Sequence, residues 1–390
     1  MRRIEPIQLR ALWLFVVVLV APSGLAHAEW SSPTPLTDLL LKQGPYGSGK
    51  ALIELEDTTR TAPQTPIPIY EACGTDTRAL PTAVWYPSAN RADDQVEGAS
   101  PGATKNGFPL IVFGHGIASE GAEGAFVAAH LATHGYVVIA PDFPLSKGSS
   151  PCGPTPADIA GQAGDVIFLI TAFQEPQVQA TFVAASLIDF DRIGVLGYSL
   201  GGATMALAGS HPAIDAVATL APATCPLYEV GVPTTIEKPL LILQGTTDAI
   251  CKPTLNAEPF FDASGDPRHL VEIENGSHAG FLTSAPAIEA AYPTTPIDGV
   301  ICYALSPLLQ SDPVAQSCQV CNPPPSARQL VSTRQHELTR AGVLAFFNAY
   351  LRCRPLSLAY LRHVYDVENS ELTTTYSGSP GVGLGQCIEQ

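Results

Sequence analysis

The sequence predicts an α/β domain: a mostly parallel central sheet flanked by helices. Three observations carry this. First, the apolar runs "FPLIVFGHG" (108–116), "YVVIAPDFP" (136–144), "RIGVLGYS" (192–199), "IDAVATLAP" (214–222) and "PLLILQGTTD" (239–248) alternate with segments of helical spacing. Continuous apolar strands are buried on both faces, as in a parallel sheet covered by helices. Second, conspicuous polar tips (His115, Ser199, Asp248 and His278) follow such strands, where open α/β sheets bind ligands. Third, 46% of the 390 residues are hydrophobic and only 14% charged, enough to bury a large core.

The elements follow in chain order. Arg2, Arg3 and Arg10 flank and precede "ALWLFVVVLVA", and "GLAHAEW" supplies an Ala-x-Ala site ending at Ala28. This is the pattern of a signal peptide over residues 1–28, and its apolar run falls short of the roughly 20 residues a membrane span needs. Its removal takes away three arginines and one glutamate, moving the formal charge from −16 to −18. Export to the outside or the periplasm is expected, with no stable membrane span left. The mature chain, 29–390, is expected to form a single domain and a monomer.

An N-terminal extension (29–75) is rich in Pro, Gly and Thr, with "ALIELED" as one strand. "LPTAVWYPS" (80–88) is a second strand and "DDQVEGASPGATKNG" a solvated hairpin or loop. Helices are expected over 124–135, over 156–174 and from "LGGATMALAGS". "HLVEIENGSHAG" (269–280) adds a strand, and "RAGVLAFFNAYLRC" (340–353) the last helix. Between these, residues 281–335 are Pro- and Ser-rich and carry three cysteines. Helical pieces tied by disulfides are expected there, as an insertion before the last helix; a structureless loop of that length is unusual.

All 9 cysteines lie beyond the signal, and an oxidising compartment favours disulfides among them. An odd count leaves one thiol over. The Cys318-x-x-Cys321 pair is followed by prolines and lacks a second ligand pair nearby, which favours structural disulfides over zinc or redox chemistry. No metal or organic cofactor is expected. "GPYGSGK" (44–50) has the wrong spacing for a phosphate loop, and Ala51 stands where its final hydroxyl belongs. The acidic balance excludes a nucleic-acid partner.

Residues 197–201, "GYSLG", form G-x-S-x-G between an apolar strand and a helix. A serine there sits on a sharp strand-to-helix turn, lifted clear of the backbone. A hydroxyl nucleophile needs a base, and the base needs a carboxylate to fix its tautomer. Asp248 and His278 end strands downstream, in the order Ser, acid, base. Asp262 and Asp266 are rival acids in a polar loop. His269 begins a strand and His336 precedes the last helix, so neither suits the base. Two backbone N–H groups, of Leu200 and of Ile117, are expected to form the oxyanion hole. His115 is expected to order its loop. Tyr198 either packs under the nucleophile or contacts substrate. The loop 144–156 either lines the substrate pocket or is a surface crossover held by Cys152.

"PTAVWYPS", "FGHG", "LATHGYVVIAPDFP", "GYSLGGAT", "LILQGTTD" and "GSHAGF" resemble the α/β-hydrolase superfamily. The resemblance is closest to the branch of platelet-activating-factor acetylhydrolases, dienelactone-hydrolase-like proteins, cutinase-like polyester hydrolases and chlorophyllases. It covers about residues 75–283 and the final helix. It implies the α/β-hydrolase fold and carboxylic-ester hydrolysis, with Ser199, Asp248 and His278 as triad and the Ile117 and Leu200 amides as oxyanion hole. Dienelactone hydrolases use a cysteine where Ser199 stands, and cutinase-like enzymes are more compact than this chain. The expected function is a secreted serine esterase or lipase acting on neutral or apolar esters, polyesters among them. Amide hydrolysis by the same triad and noncatalytic binding on the same fold are the alternatives.

Overall fold

A computed structural model describes residues 35–62, 75–150, 153–229, 235–309, 313–322 and 329–378. The expected signal peptide and Cys73, Cys152 and Cys387 lie outside the described residues. The described residues form one compact unit.

Ten strands form one sheet: β1 (Gly47–Asp57), β2 (Arg78–Ser88), β3 (Val96–Glu97), β4 (Phe108–Gly114), β5 (Val137–Pro141), β6 (Ile188–Tyr198), β7 (Ala216–Leu220), β8 (Leu240–Gly245), β9 (Arg268–Ile273) and β10 (Leu372–Ser377). Their spatial order is β10-β9-β8-β7-β6-β4-β5-β2-β1-β3. The block β5-β4-β6-β7-β8-β9 is parallel throughout, while β2, against β5, and β10, against β9, run antiparallel. This is the α/β-hydrolase fold.

The helices are α1 (Leu36–Leu41), α2 (Ala125–Thr133), α3 (Ile159–Ala172), α4 (Pro176–Thr181), α5 (Leu200–Ala208), α6 (Cys225–Glu229), α7 (Ala257–Ala263), α8 (Ala285–Ala291), α9 (Ile297–Leu309), α10 (Pro313–Ser317), α11 (Ser332–Tyr350), α12 (Pro355–His363) and α13 (Tyr365–Glu368). Alternation along β4 shows how they bury the sheet. Ile111 and Phe113 face one core layer with Val127 and Leu131 of α2 and Leu344 and Phe347 of α11. Leu110 and Val112 face the other, with Val166 and Leu169 of α3 and Met205 of α5. Successive side chains of a strand point to opposite faces, so a strand apolar at every position needs both layers.

Two boundaries differ from expectation. The helix expected at 340–353 begins at Ser332. Its first turns, "STRQHELT", bury Gln335, His336 and Thr339 along with Leu338, so the buried face is polar there and carries no apolar period. It is also not the last element: α12, α13 and the Thr-rich edge strand β10 follow it.

The insertion 281–335 contains α8, α9 and α10. Cys225 bonds to Cys318 and Cys302 to Cys321. The C-x-x-C cysteines therefore pair with separate partners, one outside the insertion and one within it. Cys353 is also disulfide-bonded. Among the described residues Cys251 is the free thiol, and it is buried.

Candidate active site

Between β4 and β6 the strand order reverses: β5 lies on one side of β4 and β6 on the other. A crevice opens at such a switch point beyond the strands' carboxyl ends. Gly116 and Ile117 follow β4 there, and Ser199 follows β6.

Ser199 has φ 54° and ψ −118°, a backbone state that a side chain disfavours by roughly 1–3 kcal/mol. The turn survives because its neighbours are glycine. A Cβ on Gly197 would lie 2.2 Å from the Gly201 carbonyl oxygen, and one on Gly201 would lie 2.1 Å from that of Gly114. The tight turn places Leu200 at the first position of α5. The first four N–H groups of a helix have no partner inside it, so the Leu200 amide is free to face the crevice.

The structure brings the three predicted side chains together. His278 Nε2 lies 3.0 Å from Ser199 Oγ, and His278 Nδ1 lies 2.8 Å from Asp248 Oδ2. All three residues are buried. Asp248 is fixed by donors: the N–H groups of Ile250 and Cys251 donate to Oδ1 at 2.8 and 2.7 Å, and Gln244 Nε2 donates to Oδ2 at 2.9 Å. A carboxylate held this way keeps the proton of the imidazole on Nδ1 and leaves Nε2 facing Ser199. Burial alone would lower the His278 pKa, but the Asp248 carboxylate outweighs it and holds the imidazole well above its ordinary value.

The other predicted residues fall as follows. His115 is buried, with Nδ1 2.7 Å from the Gly116 carbonyl and Nε2 accepting from the Phe143 N–H at 2.9 Å. Nδ1 therefore carries the proton. Burial lowers its pKa to about 4, so it stays a neutral brace for the loop that holds Ile117. That loop is also pinned to the 144–150 stretch, where Ser146 accepts from Ala118 N–H at 2.8 Å and Gly148 N–H donates to Ser119 at 3.0 Å. Ile117 packs with Leu200, Ile159, Ala203 and Leu227 in an apolar cluster. Tyr198 lies under the base, its ring centroid 5.1 Å from that of His278 and its hydroxyl donating to the His278 carbonyl at 3.3 Å. Asp262 and Asp266 are exposed. His269 is tied to the Tyr350 hydroxyl at 2.8 Å. His336 lies within α11, stacked on Phe126 and bonded to the Leu282 carbonyl at 2.9 Å.

Four contributors carried no sequence signal. Gln335 grips the base loop at both backbone groups of Ser277, accepting at 3.0 Å and donating at 2.8 Å. Gln244 braces Asp248. The Cys251 thiol is buried beside the acid loop, and burial pushes its pKa up while the His278 ring pulls it down. Asp298 bonds to backbone on both catalytic loops. Gln244, within "LILQGTTD", and Cys251 are chain neighbours of Asp248 whose side-chain roles nothing in the sequence marks, whereas Gln335 and Asp298 are brought to the triad by the fold alone.

A PET hydrolase-like family model matches residues 99–292. A bis(hydroxyethyl) terephthalate hydrolase of Streptomyces coelicolor is 32% identical over 177 residues, 40% of this chain and 54% of that protein. The cutinase est2 of Thermobifida alba is 27% identical over 178 residues, 44% of this chain and 53% of that protein. The chain thus spans about half the length of the curated relatives it matches. A ferulic acid esterase structure from Streptomyces cinnamoneus superposes with a TM-score of 0.60 at 20% identity, covering 85% of this chain and 97% of that one; at that identity it speaks for the fold. No helix among the described residues is long and apolar enough to cross a membrane. The strand order and the elbow at Ser199 give the chain the α/β-hydrolase fold, and over about half its length it is similar to PET hydrolase-like and cutinase-like enzymes.

Proposed function

We propose that the chain is a serine carboxylic-ester hydrolase working through Ser199, His278 and Asp248, exported to an oxidising compartment, either secreted or periplasmic. The observation that carries this reading is the unbroken chain Ser199 Oγ, His278, Asp248 at 3.0 and 2.8 Å, seated on a strained elbow. His278 takes the proton as Ser199 Oγ attacks the ester carbonyl. The Leu200 and Ile117 amides receive the oxyanion. His278 then protonates the leaving alcohol, and water, activated by the same imidazole, releases the acid from the acyl-enzyme. The aliphatic cluster of Ile117, Leu200, Ile159 and Leu227 beside those amides suits an apolar group on the substrate. One relative's name specifies an aromatic diester and another a cutinase, which supports neutral esters, polyesters among them, as the substrate class.

The test is a fluorophosphonate probe on the oxidised protein, followed by peptide mapping, beside hydrolysis of p-nitrophenyl acetate, butyrate and palmitate. Labelling at Ser199 with ester turnover supports the reading. Labelling elsewhere, or turnover of p-nitroanilides in place of esters, overturns it.

The pH dependence follows from the site's charges. The base works only unprotonated, so kcat/KM rises with pH through the His278 pKa. Asp248 holds that pKa above the ordinary imidazole value, so the acid limb lies at higher pH than a free imidazole would give. In Asp248→Asn the limb moves to lower pH. A kcat/KM profile of the two proteins checks this, and an unmoved limb would count against His278 as the titrating base.

A further inference from the structure

Asp298 lies in the first turn of α9, inside the insertion, and is fully buried. Its bonds do not serve its own helix. Oδ2 accepts from the Ala249 N–H at 3.1 Å and the His278 N–H at 3.0 Å, and Oδ1 accepts from the Ala279 N–H at 2.8 Å. Ala249 follows Asp248 in the chain, and Ala279 follows His278. One side chain thus spans the loop that presents the acid and the loop that presents the base.

Asp298 is itself held in place. Gln329 Oε1 accepts its N–H at 3.2 Å while Gln329 Nε2 donates to the Thr247 carbonyl at 3.4 Å. Four residues along α9, Cys302 is bonded to Cys321, whose N–H donates to the Ala249 carbonyl at 2.7 Å. The disulfide packs with Ile250 and Cys251. The insertion is therefore fastened to the acid loop on both sides of Asp298.

We propose that Asp298 is a positioning residue of this site, fixing the Asp248 loop against the His278 loop through the backbone of both. The proposal rests on the ester-hydrolase reading for its kinetic consequence, though not for its geometry. Burial and the neighbouring Asp248 raise the Asp298 pKa, while the His278 ring and the N–H donors pull toward the ionised carboxylate. The groups around His278 are Asp248 and Cys251 from the acid loop, Ser199 and Tyr198 from the elbow and Asp298 from α9, with Glu123 acting on Tyr198. The imidazolium formed during attack is bonded to Asp248 and interacts through space with Asp298.

The experiment is Asp298→Asn in the full oxidised chain. It is read by kcat and KM on p-nitrophenyl butyrate, by the pH of the acid limb, and by NMR titration of the 15N-labelled His278 ring. A carboxamide keeps the shape, loses the charge and turns one acceptor into a donor facing N–H groups. Displaced by as little as an ångström, catalytic groups lose up to about 100-fold in rate. The expected result is a 10- to 100-fold loss in kcat with KM little changed, and a ring titration moved to lower pH, because removal of a nearby negative charge disfavours the imidazolium. Folded Asp298→Asn with wild-type kcat and wild-type titration overturns the proposal. If that variant does not fold, Asp298→Glu replaces it: the charge remains but the carboxylate is displaced, so kcat falls while the titration stays near wild type. Wild-type kcat in Asp298→Glu overturns the proposal equally. The ring titration separates this idea from the ester-hydrolase reading. A shifted titration in a protein without ester turnover sinks that reading alone, and an unshifted one with full turnover sinks the positioning role alone.

Discussion

Ser199→Ala lowers kcat on p-nitrophenyl butyrate by on the order of 10⁶-fold, and His278→Ala lowers it about as far. The two residues act as one unit. Without the hydroxyl the base has no proton to take, and without the base the hydroxyl stays un-ionised. The double variant is therefore expected to be little slower than either single one, a non-additivity that independent contacts do not produce. On the proposed reading, what survives is the contribution of binding and of the Leu200 and Ile117 amides. Asp248→Asn costs less, roughly 10⁴-fold, because the ring loses its tautomer control while the nucleophile and base remain. Steady-state kinetics on the four variants, each checked for folding by thermal melt, reads all of this. Cys251 gives the sharpest way to fail. It is the free thiol among the described residues and lies three positions past Asp248, so turnover in Ser199→Ala that iodoacetamide abolishes would move the nucleophile to Cys251.

The residues in that experiment are those the sequence displays most openly, and the reason is local. A nucleophile elbow requires glycines at fixed offsets from the serine, because backbone lies about 2 Å from where their Cβ atoms would be. The constraint is written within five consecutive residues. Asp248 and His278 are legible for a related reason: each ends an apolar strand of the parallel block, β8 or β9. The parallel block itself reads directly from continuous apolar runs. The supporting residues do not read. Gln335 lies 57 positions after His278 and Asp298 lies 50 after Asp248, far from either in the chain. Their buried partners are backbone amides and carbonyls, which leave no mark on the composition of the partner segment. For the same reason the early start of α11 is hidden: a helix face buried against polar backbone looks like a solvated one. The disulfide pairing was equally illegible, since neighbouring Cys318 and Cys321 diverge to different partners.

Arg78→Met destabilises the protein by about 3–5 kcal/mol, the largest stability effect expected of a single side chain outside the catalytic site. Arg78 is fully buried at the start of β2. It donates from Nε and Nη2 to both oxygens of Asp165, each at 2.6 Å, and from Nη1 and Nη2 to Asp158 at 3.1 and 2.6 Å. Asp165 lies in α3 and Asp158 in the turn that opens it, so the cluster fastens α3 to the sheet. Helix α3 in turn reaches the elbow helix, where Thr204 of α5 donates to Gln162 at 2.6 Å. Removing the guanidinium strands two buried carboxylates, which is why breaking such a pair costs more than the pair is worth. Arg60 supplies the contrast. It also bonds Asp165, at 2.7 Å, but its side chain is 32% exposed. Its loss leaves Asp165 still held by Arg78, so Arg60→Ala is expected to cost no more than about 1 kcal/mol. At roughly 2–4 °C per kcal/mol, Arg78→Met lowers Tm by about 6–20 °C and Arg60→Ala by only a few degrees. The pH dependence has a definite sign. Burial already raises the Asp165 pKa against the pull of the two arginines, and without Arg78 it rises further. A carboxyl whose folded pKa exceeds its unfolded one binds its proton more tightly when folded, so it favours folding at low pH and loses that advantage as pH rises through the folded value. The Tm deficit of Arg78→Met is therefore expected to narrow between pH 7 and pH 5. Calorimetry at the two pH values decides it: equal deficits for Arg78→Met and Arg60→Ala, or a deficit that widens toward pH 5, would mean that these carboxylates are not carrying buried charge.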